Sequence, residues 1–309
     1  MRWRWAALAV GAALVSGVVI VVAGAPAVRA EWREVSAPPL SPREFPTGFW
    51  TGEEVIFVGG SDTPPCPPWA ECAAPTEPPL ADGAAYNLRA ATWRTIADAP
   101  VRFSWPDAVV VGSTAYLWIP GEPWRPQAPS AFLAYRIDED RWEELELPTH
   151  EPSWYDLVGA GDRLVAVSTS DEEVERPDLV YDPAASAWSE LPDDPFTPGF
   201  DRIAVWHGEE LFLFDHEIEA VGDDLPLRGA AFAFESGGWR ELGDPDEAWA
   251  RLGPKAGPSM SPPATVGEAG STTEVAAGAD RFLFLGSSWP EGDEDGELHA
   301  RVWLWSPEL

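Results

Sequence analysis

Acidic side chains recur at one place in this sequence, just ahead of turns that lead into strongly hydrophobic strands. Asp107, Asp156 and Glu274 each stand five residues before such a turn. Asp201 lies near the corresponding place of another unit, in which Ile203 holds the strict position. If these segments are equivalent strands around a common axis, the carboxylates are expected to ring one end of it.

Aromatic side chains accompany two of these carboxylates. Trp105 stands two residues before Asp107, and Trp154 stands two residues before Asp156. Carboxylates bind hard cations and hydroxyl groups, while ring faces stack on apolar or cationic surfaces. The pattern therefore predicts a ligand site for an amine, a sugar or a metal ion such as calcium. The alternative is that the acids are solvated strand-entry residues and the tryptophans pack between strands.

Close carboxylates could also act as general acid and base on a glycosidic bond. That role needs a specified separation and a raised pKa on one carboxyl, which a sequence does not supply. The sequence contains no Gly-rich phosphate loop, no nucleophile elbow and no paired-His zinc motif. We therefore assign no catalytic residue and no metal ligand, and a non-enzymatic binding role is favoured over a glycan hydrolase.

The charge of the chain restricts its partners. The sequence has 52 acidic and 20 basic residues, a formal net charge of −32. Nucleic-acid binding depends on clustered Lys and Arg, so that class is excluded. A strongly acidic surface keeps a protein soluble and monomeric, and the sharper alternative is that it attracts a cationic partner.

The first thirty residues read as an export segment. Arg2 and Arg4 precede an apolar run, residues 6–23, in which Ser16 is the only conventional polar side chain. Small residues before Glu31 favour a cleaved signal peptide, and the length of the run leaves an uncleaved membrane anchor open. The expected domains are residues 1–30 as signal or anchor and 31–309 as the mature protein. It would be secreted or held at the outer face of the cytoplasmic membrane, touching the membrane only through this segment.

The only two cysteines, Cys66 and Cys72, close one short loop. In an exported chain such a pair is expected to form a disulfide. The small ring would staple a loop and contribute little to global stability.

A repeated unit runs through the rest of the chain. A Trp is followed three residues later by an aliphatic residue at five places: Trp32/Val35, Trp93/Ile96, Trp142/Leu145, Trp188/Leu191 and Trp239/Leu242. An apolar strand and a polar turn precede each internal Trp, and a Gly-containing turn followed by another hydrophobic strand comes before that. With a first strand ahead of the Gly turn, each unit is predicted to contain four short strands.

The two ends of the repeat region complement each other. The segment with Trp303 and Trp305 matches the third strand of a unit but has no fourth, and the segment with Trp32 supplies one. The predicted fold is all-β, a single β-propeller of about five four-stranded blades closed by pairing of its terminal strands. Residues 245–270 contain no hydrophobic strand pair and are predicted to form a surface insertion. Six blades remain an alternative, with a degenerate blade in these residues, and an open β-sandwich is another.

The order of these motifs resembles the kelch-type β-propellers of the galactose-oxidase-like superfamily. Shared features are a hydrophobic strand, a diglycine that survives at Gly59-Gly60, a Tyr-Asp-Pro-like strand and a Trp-containing strand. The resemblance covers residues 31–309 and implies a propeller. A copper-radical oxidase would need a Cys crosslinked to Tyr, and both cysteines here share one loop. The expected function is a binding module for a protein or carbohydrate, with no cofactor.

Overall fold

The structure is a computed structural model of the 309-residue chain. The residues that it describes are 30–64, 77–121, 129–148, 155–168, 177–196, 199–217, 226–252, 272–278, 281–288 and 298–307. Cys66, Cys72 and Trp154 lie outside these ranges, so the predicted disulfide and one predicted site residue are untested.

Short strands separated by tight turns make up most of the described chain. In chain order they are β1 (Ala30–Glu34), β2 (Thr47–Trp50), β3 (Glu54–Val58), β4 (Gly83–Asn87), β5 (Thr92–Ile96), β6 (Asp107–Val111), β7 (Thr114–Ile119), β8 (Ala131–Arg136), β9 (Arg141–Leu145) and β10 (Tyr155–Ala160). They continue as β11 (Arg163–Ser168), β12 (Leu179–Asp182), β13 (Ala187–Glu190), β14 (Gly199–His207), β15 (Glu210–Glu217), β16 (Leu227–Ala233), β17 (Gly238–Glu241), β18 (Thr273–Ala276), β19 (Phe282–Ser288) and β20 (His299–Pro307). A 3-10 helix covers Ile137–Glu139, and one α-helix, α1, covers Pro245–Leu252.

Within the described residues these strands form five four-stranded antiparallel sheets. The sheets are β2-β3-β4-β5, β6-β7-β8-β9, β10-β11-β12-β13, β14-β15-β16-β17 and β1-β20-β19-β18. We refer to them as blades 1 to 5 in that order. The first strands of blades 5, 1, 2, 3 and 4 contact one another in that order, since β2 touches β18 and β6, and β10 touches β6 and β14. The predicted all-β, five-bladed propeller-like arrangement is confirmed.

Blade 5 joins the two ends of the repeat region. Strand β1 pairs antiparallel with β20, and Trp32 lies opposite Trp305 while Glu34 lies opposite Trp303. Arg301 adds a bidentate side-chain contact with Glu34, at 2.6 Å between Nη2 and Oε2. The predicted pairing of the terminal strands is therefore confirmed.

The repeated Trp has the same two contacts in blades 1 to 4. Within its blade it lies beside an aromatic residue of the third strand, with ring centroids 4.7–5.2 Å apart. Its indole N–H also donates to a backbone carbonyl of the preceding blade, four residues after that blade's own repeat Trp. These bonds are Trp93 to Ser36, Trp142 to Ala97, Trp188 to Glu146 and Trp239 to Pro192, at 2.7–2.9 Å. The sequence period thus reflects a repeated link between blades.

The surviving diglycine is required by close backbone packing. Gly60 has a positive φ of 95°, and a Cβ there would lie 2.7 Å from the carbonyl oxygen of Glu44. Its N–H donates to the carbonyl of Phe103 at 2.8 Å. Because glycine alone fits this conformation and this space, the turn holds the chain segments before β2 and β6 together.

Helix α1 was not expected from the sequence, which predicted a surface insertion for residues 245–270. Its first turn is capped by Asp244, whose carboxylate accepts the N–H of Glu247 at 2.9 Å. Trp249 of the helix packs on Phe214 with ring centroids 5.2 Å apart. The described residues contain no sixth sheet, and none of their helices is long and apolar enough to cross a bilayer.

Candidate functional site

Asp107 and Asp156 occupy the same level of two adjacent first strands. Asp107 of β6 pairs with Trp118, and Asp156 of β10 pairs with Val167. In both hairpins the pair stands at the same distance from the turn. Strands β6 and β10 contact each other, so the predicted equivalence of these two carboxylates is matched by the register.

The carboxylate of Asp107 is held between the two strands. One oxygen accepts the N–H of Ala108 at 2.8 Å, and the other accepts the N–H of Leu157 on β10. The pKa of Asp107 is raised to about 6, chiefly by burial and also by the negative charge of Asp156, while the two N–H donors oppose the shift. The site therefore fixes this carboxyl in position while disfavouring its charge.

Asp156 reaches solvent at the mouth of two cavities. Burial among surrounding protein atoms raises the pKa of Asp156 as well. One cavity, with a volume of about 330 Å³, is shared with Asp107, and the other, of about 800 Å³, lies toward blade 4. We call the smaller one the acidic-aromatic cavity; its walls include Phe45, Trp105, Asp107, Trp118, Tyr155 and Asp156.

A stacked aromatic pair forms the edge of the acidic-aromatic cavity. The rings of Phe45 and Trp105 lie 3.6 Å apart between centroids, with planes inclined by 21°. Both residues have positive φ, 54° and 61°, and the N–H of Trp105 donates to the carbonyl of Phe45 at 3.3 Å. The side chain of Trp105 is nevertheless 49% exposed, and it is the only exposed large hydrophobic side chain within the described residues.

Glu274 does not share the position of Asp107. In blade 2, Val109 and Val111 follow Asp107 by two and four residues and pack against blade 3. Val275 and Ala277 of blade 5 pack in the same way against blade 1, so they correspond to Val109 and Val111. The residue two before Val275 is Thr273, which lines the acidic-aromatic cavity and donates to the carbonyl of Pro46 at 3.1 Å.

Successive side chains of a strand point to opposite faces, so Glu274 lies on the other face of β18 from Thr273. The cause is the hairpin between β18 and β19. Glu274 pairs with Phe284, and the turn is one residue longer than in the other blades. The expectation that Glu274 is equivalent to Asp107 and Asp156 is wrong, although burial does raise the pKa of Glu274.

Asp201 is also displaced from the level of Asp107. Ile203 pairs with Phe214 at that level, and a register shift separates it from Phe200. Asp201 has a positive φ of 53° and thus resembles Phe45 and Trp105 in backbone position, not Asp107. Its side chain lines the larger cavity. Asp156 lines the same cavity, so Asp201 shares one cavity with Asp156 and Asp107 shares the other. Of the four predicted carboxylates, however, only Asp107 and Asp156 occupy equivalent positions in their hairpins.

The larger cavity was missed because helix α1 was missed. Asp246 and Trp249 of the helix line it together with His216. The sequence does carry a helix signal, since Asp244 is followed by Pro245 and then by Glu247, a capping residue with Pro at the first helical position. That signal would have located this wall.

The geometry can hold a ligand but shows no metal centre. Within the described ranges, no three or more His, Cys, Asp or Glu side chains are grouped so that they could hold a metal ion. No protein-family model and no curated protein matches this chain.

Proposed function

We propose that this protein is a non-enzymatic binding module that holds a protein or carbohydrate ligand at the acidic-aromatic cavity. The observation that carries the proposal is the exposed stack of Trp105 on Phe45 at the cavity edge, above Asp107 and Asp156. Exposed aromatic side chains beside a concave polar site are typical of ligand-binding surfaces.

The surroundings of the stack support a role in recognition. Gly60 and the backbone bond from Trp105 to Phe45 fix both aromatic segments, so the stack is preorganised. A preorganised site loses less conformational entropy on binding. The kelch-like order of the repeat adds only a fold analogy, because propellers serve many functions.

We propose that the protein acts outside the cytoplasmic membrane. The support for this is the apolar segment at residues 6–23, which follows two arginines. The proposed partner is thus an extracellular or cell-envelope ligand.

A glycan hydrolase is the second candidate. The pair Asp107 and Asp156 favours it, because one carboxyl has its pKa raised to about 6 beside a second acid. Such a pair could supply a proton to a leaving group. Both oxygens of Asp107, however, already accept backbone N–H groups, so neither oxygen is left unengaged for proton transfer to a substrate.

One set of variants separates these functions. Wild type, Trp105→Ala, Asp107→Asn and Glu274→Gln would be screened against glycan and peptide arrays and assayed for new reducing ends on the same glycans. The binding module predicts retention on an array that weakens in Trp105→Ala and is unchanged in Glu274→Gln, without turnover. Turnover abolished by Asp107→Asn would establish the hydrolase instead, and retention unaffected by Trp105→Ala would refute the cavity as the site.

A further inference from the structure

The acidic-aromatic cavity has a one-sided set of polar groups. Its described lining includes the carboxylates of Asp107 and Asp156 and the hydroxyl groups of Tyr155, Thr272 and Thr273, with no Lys, Arg, His, Asn or Gln. The remaining lining residues are largely aromatic rings and prolines. Carboxylates and ring faces are both negative, so the cavity complements a positive charge carried on an apolar group.

Asp156 also lines the larger cavity, whose described lining includes the basic side chains of Arg202 and His216. Arg202 lines the larger cavity, but its guanidinium bonds Asp178 and Asp194 at 2.8–2.9 Å and its side chain is only 4% exposed. The charge of Arg202 is therefore committed to those two carboxylates. The pair of Asp107 and Asp156 keeps its negative field for a ligand.

Size and donor content argue against the other ligands that carboxylates and aromatic rings attract. A volume of about 330 Å³ is at the small end for ligand pockets and suits a side chain or small molecule better than an extended glycan. A sugar is usually held by donors as well as acceptors, and two of the hydroxyl groups in the described wall, those of Tyr155 and Thr273, already donate to the backbone carbonyls of Pro177 and Pro46. A metal ion would need more oxygen ligands than this carboxylate pair provides.

We infer that the acidic-aromatic cavity binds an alkylammonium group, with its charge against Asp107 and Asp156 and its carbon chain against Trp105. This inference rests on the proposed function and names the chemistry of the ligand. The ammonium group comes either from a free amine or from a lysine side chain of a protein. Burial disfavours the charge of Asp107, and a bound cation would offset that cost.

The test uses three probes that differ in one group at a time. Nα-acetyl-lysine N-methylamide and n-butylammonium carry the ammonium, and Nα-acetyl-norleucine N-methylamide has the lysine chain length without the charge. Binding to the mature protein is followed by the ¹H–¹⁵N resonance of the Trp105 indole, assigned with Trp105→Phe. Asp107→Asn and Asp156→Asn test the carboxylates, and Glu274→Gln removes the same charge from the opposite face of a first strand.

Both ammonium probes are expected to shift the Trp105 resonance, with affinity roughly tenfold weaker in either Asp→Asn variant. Glu274→Gln is expected to stay within about twofold of wild type, since exposed charges contribute little. Tighter binding of the lysine derivative identifies a protein source, and equal binding of n-butylammonium identifies a small amine.

Two results would overturn the inference. The norleucine derivative could bind as tightly as the lysine derivative, or affinity for the amines could be unchanged in Asp107→Asn and Asp156→Asn. Neither result touches the proposed function, because a neutral glycan or peptide retained through Trp105 on an array would still establish a binding module. A cavity that binds nothing in either experiment would refute both the inference and the proposed function.

Discussion

The indole N–H of Trp142 donates a 2.8 Å hydrogen bond to the carbonyl of Ala97, which directly follows the last strand of the preceding blade. The N–H of Ala97 in turn donates to the carboxylate of Asp140 at 2.9 Å. Both backbone polar groups of Ala97 are thus bound by blade 2. The equivalent indole bond links blade 1 to blade 5, blade 3 to blade 2 and blade 4 to blade 3. Each of these bonds joins two separate sheets.

Replacing the indole donor should therefore loosen a blade junction. Trp142→Phe removes the donor and leaves the carbonyl of Ala97 without it, and we expect the free energy of unfolding to fall by about 1–3 kcal/mol. Urea unfolding of the protein measures this. Trp105→Phe is the matched control, because Trp105 is half exposed at the cavity edge and makes no such link, and a loss as large there would contradict the interpretation.

Buried charge gives a second test. Arg202 bonds Asp178 and Asp194, and all three side chains are nearly inaccessible to solvent. Arg202→Met would leave two buried carboxylates without a counter-ion, and we expect a loss of about 3–5 kcal/mol. Arg240→Met breaks an exposed pair with Glu210 and is expected to cost less than about 1 kcal/mol. Equal costs in urea unfolding would show that burial does not determine the strength of these pairs.

The raised pKa of Asp107 makes stability depend on pH. Between about pH 4 and pH 6 the folded protein keeps a proton that the unfolded chain has released, since the pKa rises from 3.8 to about 6 on folding. The free energy of unfolding must then fall as pH rises through this window.

Relative to Asp107→Asn, the wild type should lose about 3 kcal/mol at most over that range. Asp156 is the acid whose charge acts on Asp107, and it is present in both proteins. Unfolding free energies measured at several pH values check the difference between them. Parallel pH profiles for the two proteins would show that Asp107 titrates normally.

The diglycine supplies a prediction about the cavity edge. Gly52 and Gly60 both have φ near 95–99°, but a Cβ meets nothing within 4 Å at Gly52 and the Glu44 carbonyl at Gly60. Gly52→Ala should cost about 1 kcal/mol from backbone strain alone. Gly60→Ala should cost roughly 1–3 kcal/mol more and shift the Trp105 indole resonance, because the segment before β2 must move. An unchanged Trp105 resonance would separate the diglycine from the aromatic stack.

The sequence predicted those features that repeat with a fixed spacing. The Trp period gave five units, and the match between the segments of Trp32 and Trp303 gave the joined ends. Asp107 and Asp156 were found because their hairpins have the same length. Glu274 was misplaced because one extra turn residue turns a strand's side chains to the opposite face.

Contacts between segments far apart in the sequence could not be predicted from the spacing of repeated residues. Phe45 lies outside every strand and gains its role only by stacking on Trp105, sixty residues later in the chain. The residue type of Phe45 does not indicate that its φ is positive. A cavity wall assembled from loops of different blades depends on such packing, which spacing alone does not reveal.

The joined ends set the order in which the molecule can be built. Glu34 and Arg301 are 267 positions apart, so strand β1 leaves the ribosome long before its partner exists. Blades 1 to 4 can assemble from contiguous chain as they emerge, whereas blade 5 must wait until β20 has been synthesised. During that interval the edge of β1 remains unpaired, which leaves the nascent chain vulnerable to aggregation until β20 emerges.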